Sequence, residues 1–205
     1  RTLPLHACDD GRPYYLADGI EDAKLDSNCV AYLATGVWHH HLVTGDTAFV
    51  DRLWPTVEAA IEFVLELQTR RGEIIWARHS DGHPWSYALL TGSSSIAHSL
   101  ACAISIAELV GQPRPRWVES RGRLVDVIAN QPEAFEPKDR WAMDWYYPFL
   151  AGALTADAAT KRLDDGWDTF VMEGKGVRCV SDRPWVTAAE TCECAIAALA
   201  AGDRH

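Results

Sequence analysis

Apolar residues return along this chain every three to four positions, and glycine and proline punctuate the runs. Val30, Leu33, Val37 and His41 fall along one side of a helix predicted over about 28–43, with Asp26, Ser27 and Asn28 as its caps. Thr44-Gly45-Asp46 makes a tight turn into a second helix, which reaches about Gln68 with a stripe of Ile61, Val64, Leu65 and Gln68. A break is expected near Trp54-Pro55, because proline removes a backbone donor inside a helix. Gly72 ends that element, and Glu73 to Trp76 is a short extended piece. Ser93-Ser94-Ser95 reads as the cap of a helix over about 96–110, stopped by Gly111 and Pro113. Further helices are predicted over about 116–130, closed by Asn130 and Pro132, then about 143–155, 156–163 and 187–201. Strand-type alternation never persists beyond about five residues. The pattern is that of an all-α chain of about seven helices, joined alternately by short turns and longer loops.

The longer loops hold the chemistry. One, at 76–92, carries Trp76, Arg78, His79, Asp81, His83, Trp85 and Tyr87. A second, at 137–148, carries Asp139, Trp141, Asp144, Trp145 and Tyr146. A third, at 176–190, carries Arg178, Asp182, Arg183, Trp185 and Glu190, and the N-terminal segment adds Tyr14, Tyr15, Asp18, Asp22 and Asp26. Antiparallel hairpins place every second loop at the same end of a bundle, so these residues are expected to gather into one concave polar site. Tryptophan faces stack on sugar rings, while arginine, aspartate, histidine and tyrosine bind hydroxyls. Nine tryptophans in 205 residues, most of them in loops, favour such a site, whereas Trp54 and Trp117 read as core.

Composition narrows the classes. The length suits a single domain, 1–205, with a large core. The chain is 48% hydrophobic, and no apolar run is expected to reach the roughly 20 residues of a membrane span. A net charge of −10 argues against a nucleic-acid or membrane partner. No secretory signal is visible; the start without methionine and the end in Gly202-Asp203-Arg204-His205 read as a trimmed chain. The six cysteines lack zinc-finger spacing, and reduced thiols in a cytoplasmic protein are the economical expectation. His39-His40-His41 invites a metal reading, yet consecutive helical side chains diverge by about 100°. No metal and no cofactor are expected, and the oligomeric state stays open.

A family resemblance follows from Asp26-Ser-Asn28, Ala31-Tyr32 and Trp38, then Thr44-Gly45-Asp46, Phe49, Trp54-Pro55 and Phe63. These resemble the hairpin pattern of six-hairpin (α/α)6-barrel glycosidases. Leu90 to Ile96, Asp139 to Pro148 and Arg178 to Glu193 resemble more specifically an actinobacterial group often labelled "prenyltransferase", which includes α-(1→4)-endomannanases of methylmannose polysaccharides. The resemblance covers residues 14–201. It implies an incomplete barrel, since a full one has twelve helices, and an endo-acting glycoside hydrolase on an α-linked mannan, with an oligosaccharide or polysaccharide as partner. Terpene cyclases share the topology, but this chain has neither a DxDD nor a DDxxD, and Gln68, Gly72 and Trp76 are a single echo of their repeat with the wrong spacing. A non-catalytic sugar-binding α/α module remains the other alternative.

Glycoside hydrolysis needs two carboxyl groups flanking the glycosidic oxygen. Glu190, in the first turn of the last helix, is the leading catalytic candidate, more readily as base because the helix dipole favours its ionised form. Asp144 is the second, as acid or hydroxyl ligand, and Asp22 and Asp26 are third, with Asp26 reading rather as a helix cap. Glu193, one turn from Glu190, is a partner or support. Arg178, Asp182, Arg183, Trp185, His79, Trp85, Tyr87, Trp145 and Tyr146 are the expected sugar contacts, with Asp182 alternatively fixing Arg183. The partner of Glu190 is the less certain assignment and is not required to lie within these residues.

Overall fold

A computed structural model describes residues 24–201. Among them are seven α-helices: α1 (Ser27–Thr44), α2 (Thr47–Glu66), α3 (Leu90–Leu109), α4 (Pro115–Asn130), α5 (Ala142–Leu150), α6 (Ala156–Phe170) and α7 (Ala188–Ala201). Two short antiparallel pairs accompany them, β1 (Leu25–Asp26) with β2 (Ala77–Arg78) and β3 (Val171–Met172) with β4 (Gly176–Val177). The all-α class is as the sequence predicts.

Helix boundaries follow local chemistry. The Asp26 carboxylate accepts from the Cys29 N–H at 3.0 Å and starts α1. Gly45, left-handed at φ 70°, stops it, and Asp46 caps α2 through the Phe49 N–H at 2.9 Å. Four boundaries differ from the sequence reading, one being that α5 ends at Leu150, just ahead of the left-handed Gly152, rather than at about 155. Helix α2 runs on through Pro55, because Trp54 packs on Trp117 at 5.8 Å and Val57 and Ile61 are buried beyond it. Helix α3 begins at Leu90, so Ser93, Ser94 and Ser95 are buried inside it rather than capping it. The Ser94 hydroxyl returns to the Leu90 carbonyl at 2.7 Å, which satisfies that hydroxyl within the helix. Helix α6 continues past Asp164-Asp165-Gly166 to Phe170, with Gly166 packed under the Trp145 indole.

Short turns close the hairpins α1–α2, α3–α4 and α5–α6, while long segments join one hairpin to the next. Helices α1, α3, α5 and α7 pack side by side as one layer, with α2, α4 and α6 behind them. The four run the same way, and their N-termini share one end of the molecule with the long loops. Helix α3 is the packed centre. It is 20 residues long and apolar enough to cross a membrane by length and composition, which the sequence reading did not anticipate, and its most apolar window is 67% buried here. The core has two parts. The larger lies among α1–α4 around Trp117, Ile61, Leu100 and Leu124, and the smaller among α5–α7 around Trp145, Tyr146, Leu163 and Phe170.

Candidate active site

The loop after α2 is built to hold its aromatics. Gly72, at φ 130°, lies where a Cβ would meet the Arg123 carbonyl at 2.8 Å, so only glycine fits there. Pairing of β2 with β1 brings Trp76 to the start of α1. Its indole N–H donates to Asp26 Oδ2 at 2.6 Å, and the Ser27 hydroxyl donates to the Trp76 carbonyl at 2.7 Å. Asp26 therefore serves both a helix cap and an indole. His79 stacks on Trp85 with centroids 4.8 Å apart, Trp76 stacks on Tyr87 at 5.6 Å, and Lys24 Nζ lies 4.7 Å from the Trp76 ring centre. The predicted contacts His79, Trp85 and Tyr87 thus come together as one cluster. Trp85 has one face taken by His79.

Asp144 lies 9% exposed at the first turn of α5, and its carboxylate accepts from the Thr91 hydroxyl at 2.5 Å. Burial pushes the Asp144 carboxyl above its ordinary value, against the opposing pull of the Thr91 hydroxyl and N–H and of the Arg162 and Lys138 charges. Arg162 donates to the carbonyls of Asp144 and Trp145 at 2.7 and 2.8 Å and locks this turn. Asp144, Tyr87, Glu136 and Arg162 line a cavity of about 810 Å³ between the 67–89 and 131–141 loops. Glu190 is not among the residues that line it. Thr91 and Arg162 were not singled out by sequence; Thr91 falls in a segment that reads as loop, and Arg162 reads as an exposed helix charge.

Glu190 sits half-buried in the first turn of α7, with its N–H on the Thr187 hydroxyl at 3.3 Å. Among the described residues its carboxylate makes no hydrogen bond or ion pair, which leaves it available. Glu193, one turn on, accepts from the Tyr146 hydroxyl at 2.6 Å. Burial raises the Tyr146 phenol far above its ordinary range, and Glu193 and Glu190 raise it further. Tyr146 is fully buried and supports the Glu190–Glu193 face. Beside it, the Tyr147 and Tyr32 hydroxyls meet at 2.7 Å and join α5 to α1. Neither was named as a site residue from sequence, although Tyr32 is 42% exposed on this layer.

The 176–187 loop is fastened to the start of α5. Ala142 N–H donates to the Cys179 carbonyl at 3.0 Å, Ser181 N–H to Arg140 at 2.9 Å, and Cys179 N–H to Trp185 at 2.9 Å. Arg178 donates to the Ser181 carbonyl at 3.1 Å, while its Nε is buried without a partner. Asp182 pairs with Arg140 at 3.0 Å and not with Arg183, because the hairpin turns Asp182 across to the preceding loop. Arg183 is exposed, and Trp185 presents a ring 57% exposed. Trp145 borders the 810 Å³ cavity with Asp144. It is buried against Phe170 at 5.3 Å and donates to the Arg162 carbonyl, packing the smaller core. Asp22 lies outside the described residues.

No protein-family profile matches the chain. Over 196 residues it is 52% identical to the MMP endo-(1,4)-3-O-methyl-alpha-D-mannosidase of Mycolicibacterium hassiacum, covering 95% of this chain and 54% of that enzyme. The chain is homologous to this mannosidase along almost its entire length. It spans about half the length of that relative. In fold it is similar to a rhamnosidase from Klebsiella oxytoca solved with rhamnose bound, at a TM-score of 0.61 and 14% identity, over 87% of this chain and 35% of that one. That likeness shows a shared helical fold, in agreement with the layered hairpins.

Proposed function

We propose that this chain carries a catalytic carboxylate and part of the substrate-cleft wall of an endo-acting glycoside hydrolase for α-(1→4)-linked, 3-O-methylated mannan. The observation that carries the reading is the 52% identity to an enzyme of that name over 95% of the chain. The available Glu190 carboxylate, the exposed Trp185 ring and the unpartnered Arg178 Nε supply the groups such a site needs. Glu190 acts as the general base. It takes a proton from water as the water oxygen attacks the anomeric carbon, while an acid protonates the leaving glycosidic oxygen. Asp144, bonded to Thr91 at the wall of the 810 Å³ cavity and with its carboxyl pKa raised by burial, is the candidate acid or hydroxyl ligand.

The test is cleavage of a 3-O-methylated α-(1→4)-mannan, followed by mass spectrometry, beside unmethylated α-mannan and α-(1→4)-glucan. Early appearance of mid-length fragments from the methylated chain is expected. Cleavage of the glucan alone, or release of single sugars only, would overturn the assignment. Anomer-resolved NMR of the first product is expected to show inversion; retention would make Glu190 a nucleophile instead.

A further inference from the structure

The three consecutive histidines of α1 part company. His40 packs on Phe49 at 4.1 Å, His41 on Trp38 at 5.5 Å, and His39 turns toward α3, where its ring lies 6.0 Å from that of His98. Cys102 stands one helical turn beyond His98 on the same face of α3. We propose that His39, His98 and Cys102 form a binding site for one transition-metal dication of the zinc class, with an open coordination position.

The geometry is close to what such an ion requires. One ligand atom from each of the three residues lies within 4.8 Å of the other two. The Cys102 Sγ to His98 Nε2 separation is 3.6 Å. Tetrahedral zinc, with bonds of about 2.0–2.1 Å to nitrogen and 2.3 Å to sulfur, sets an N···S edge of about 3.5–3.6 Å. The α3 pair is therefore already at chelating distance. His39 is exposed, so its ring is free to close the remaining gap by side-chain rotation. Two imidazoles and a thiolate are a soft, nitrogen-rich donor set that suits zinc and cobalt over magnesium or calcium.

The surroundings agree. The Thr35 hydroxyl lies beside Cys102 and bonds the Ser99 hydroxyl at 3.0 Å, which supplies outer support. His98 also borders a cavity of about 240 Å³ with Tyr32, Thr35, Ser95 and Tyr147. That space, far larger than the ~15 Å³ a water needs, gives the fourth position room for a water or an oxygen donor. On binding, the Cys102 thiol loses its proton to solvent and the sulfur donates its electron pair to the metal, with no redox change.

The test is titration of the reduced chain with cobalt(II), followed by absorbance. One equivalent is expected to produce a thiolate-to-cobalt charge-transfer band and the visible bands of a tetrahedral ion. Cys102→Ser should abolish the charge-transfer band, whereas Cys192→Ser, which removes an exposed thiol on α7, should leave the spectrum unchanged. His39→Ala alters an exposed side chain and so keeps the fold. It should weaken binding by at least about tenfold, the lower end of what even supporting groups contribute. Absence of a stoichiometric band, its survival in Cys102→Ser, or unchanged affinity in His39→Ala would each overturn the site. If Cys102→Ser does not fold, the His39→Ala affinity alone decides.

Discussion

Glu190 and Asp144 show how two carboxylates read similarly in sequence and behave differently in the fold. Both stand in the first turn of a helix beside tryptophan, but Glu190 has no bonding partner among the described residues, while Asp144 is buried and bonded to Thr91. Glu190→Gln keeps the shape and removes the base. Turnover should fall about 10²–10⁴-fold, the usual worth of general acid–base catalysis, with oligosaccharide affinity unchanged by calorimetry. A parent-like rate would remove Glu190 from the mechanism. Asp144→Asn keeps an acceptor for Thr91 and removes the charge. Because burial raises the Asp144 pKa in the folded state, the native chain binds this proton more tightly than the unfolded one. The stability it contributes is present below its unfolded value of about 3.9 and is lost as pH rises through the folded value. Melting curves should therefore show Asp144→Asn equal to or more stable than the parent at pH 7, with the difference closing at about pH 4 and below. A variant less stable at pH 7 by as much as at pH 4 would contradict that account.

At the scale of elements, the sequence was most readable where a helix carries its own stop and start, as at Asp26, Gly45 and Asp46. It misled where tertiary packing decides. Pro55 and Gly166 look like punctuation yet lie inside helices, where Trp54–Trp117 packing and the Trp145 indole meet them, and Ser94 stays inside α3 through its bond to the Leu90 carbonyl. The site was legible in the same uneven way. The aromatics of the 76–92 loop pack on one another, as neighbours in sequence can, whereas Tyr32, Tyr147 and Thr91 depend on how α1, α3 and α5 face one another, which periodicity does not give. Gly166 allows a direct check. Gly→Ala inside a helix ordinarily stabilises by about 0.5–1 kcal/mol. At Gly122 in α4 nothing lies within 4 Å of the added methyl, so that gain is expected. At Gly166 the methyl would overlap the Trp145 indole, which is held by Arg162 and Phe170, and a loss of about 1–3 kcal/mol is expected instead. Urea denaturation of the two variants measures the contrast, and equal shifts of one sign would refute it.

The whole molecule divides its stability unevenly. Helices α1–α4 share the larger core, and α3 packs against α1, α2, α4 and α5, while α5–α7 rest on the smaller cluster around Trp145 and Tyr146. Helix α7 also exposes Ile196 and Leu199 at 57% and 66%. Local opening is easiest where few apolar contacts must break, so amides of α6 and α7 should exchange with solvent faster than those of α1, α2 and α3. The proposed cleft spans this division, since Glu190 and Glu193 lie on α7, their supporting Tyr146 on α5, and the Tyr147 hydroxyl reaches Tyr32 on α1. A ligand that bridges the two parts stabilises the weaker one by mass action, because it binds only the closed arrangement. Hydrogen exchange on Glu190→Gln with saturating methylated mannan oligosaccharide should therefore slow α5 and α7 more than α2 or α4. At 100 times the dissociation constant the gain is about 2.7 kcal/mol, roughly a hundredfold in the opening equilibrium. Protection confined to α2 and α4, or none at all, would place the oligosaccharide elsewhere on the molecule.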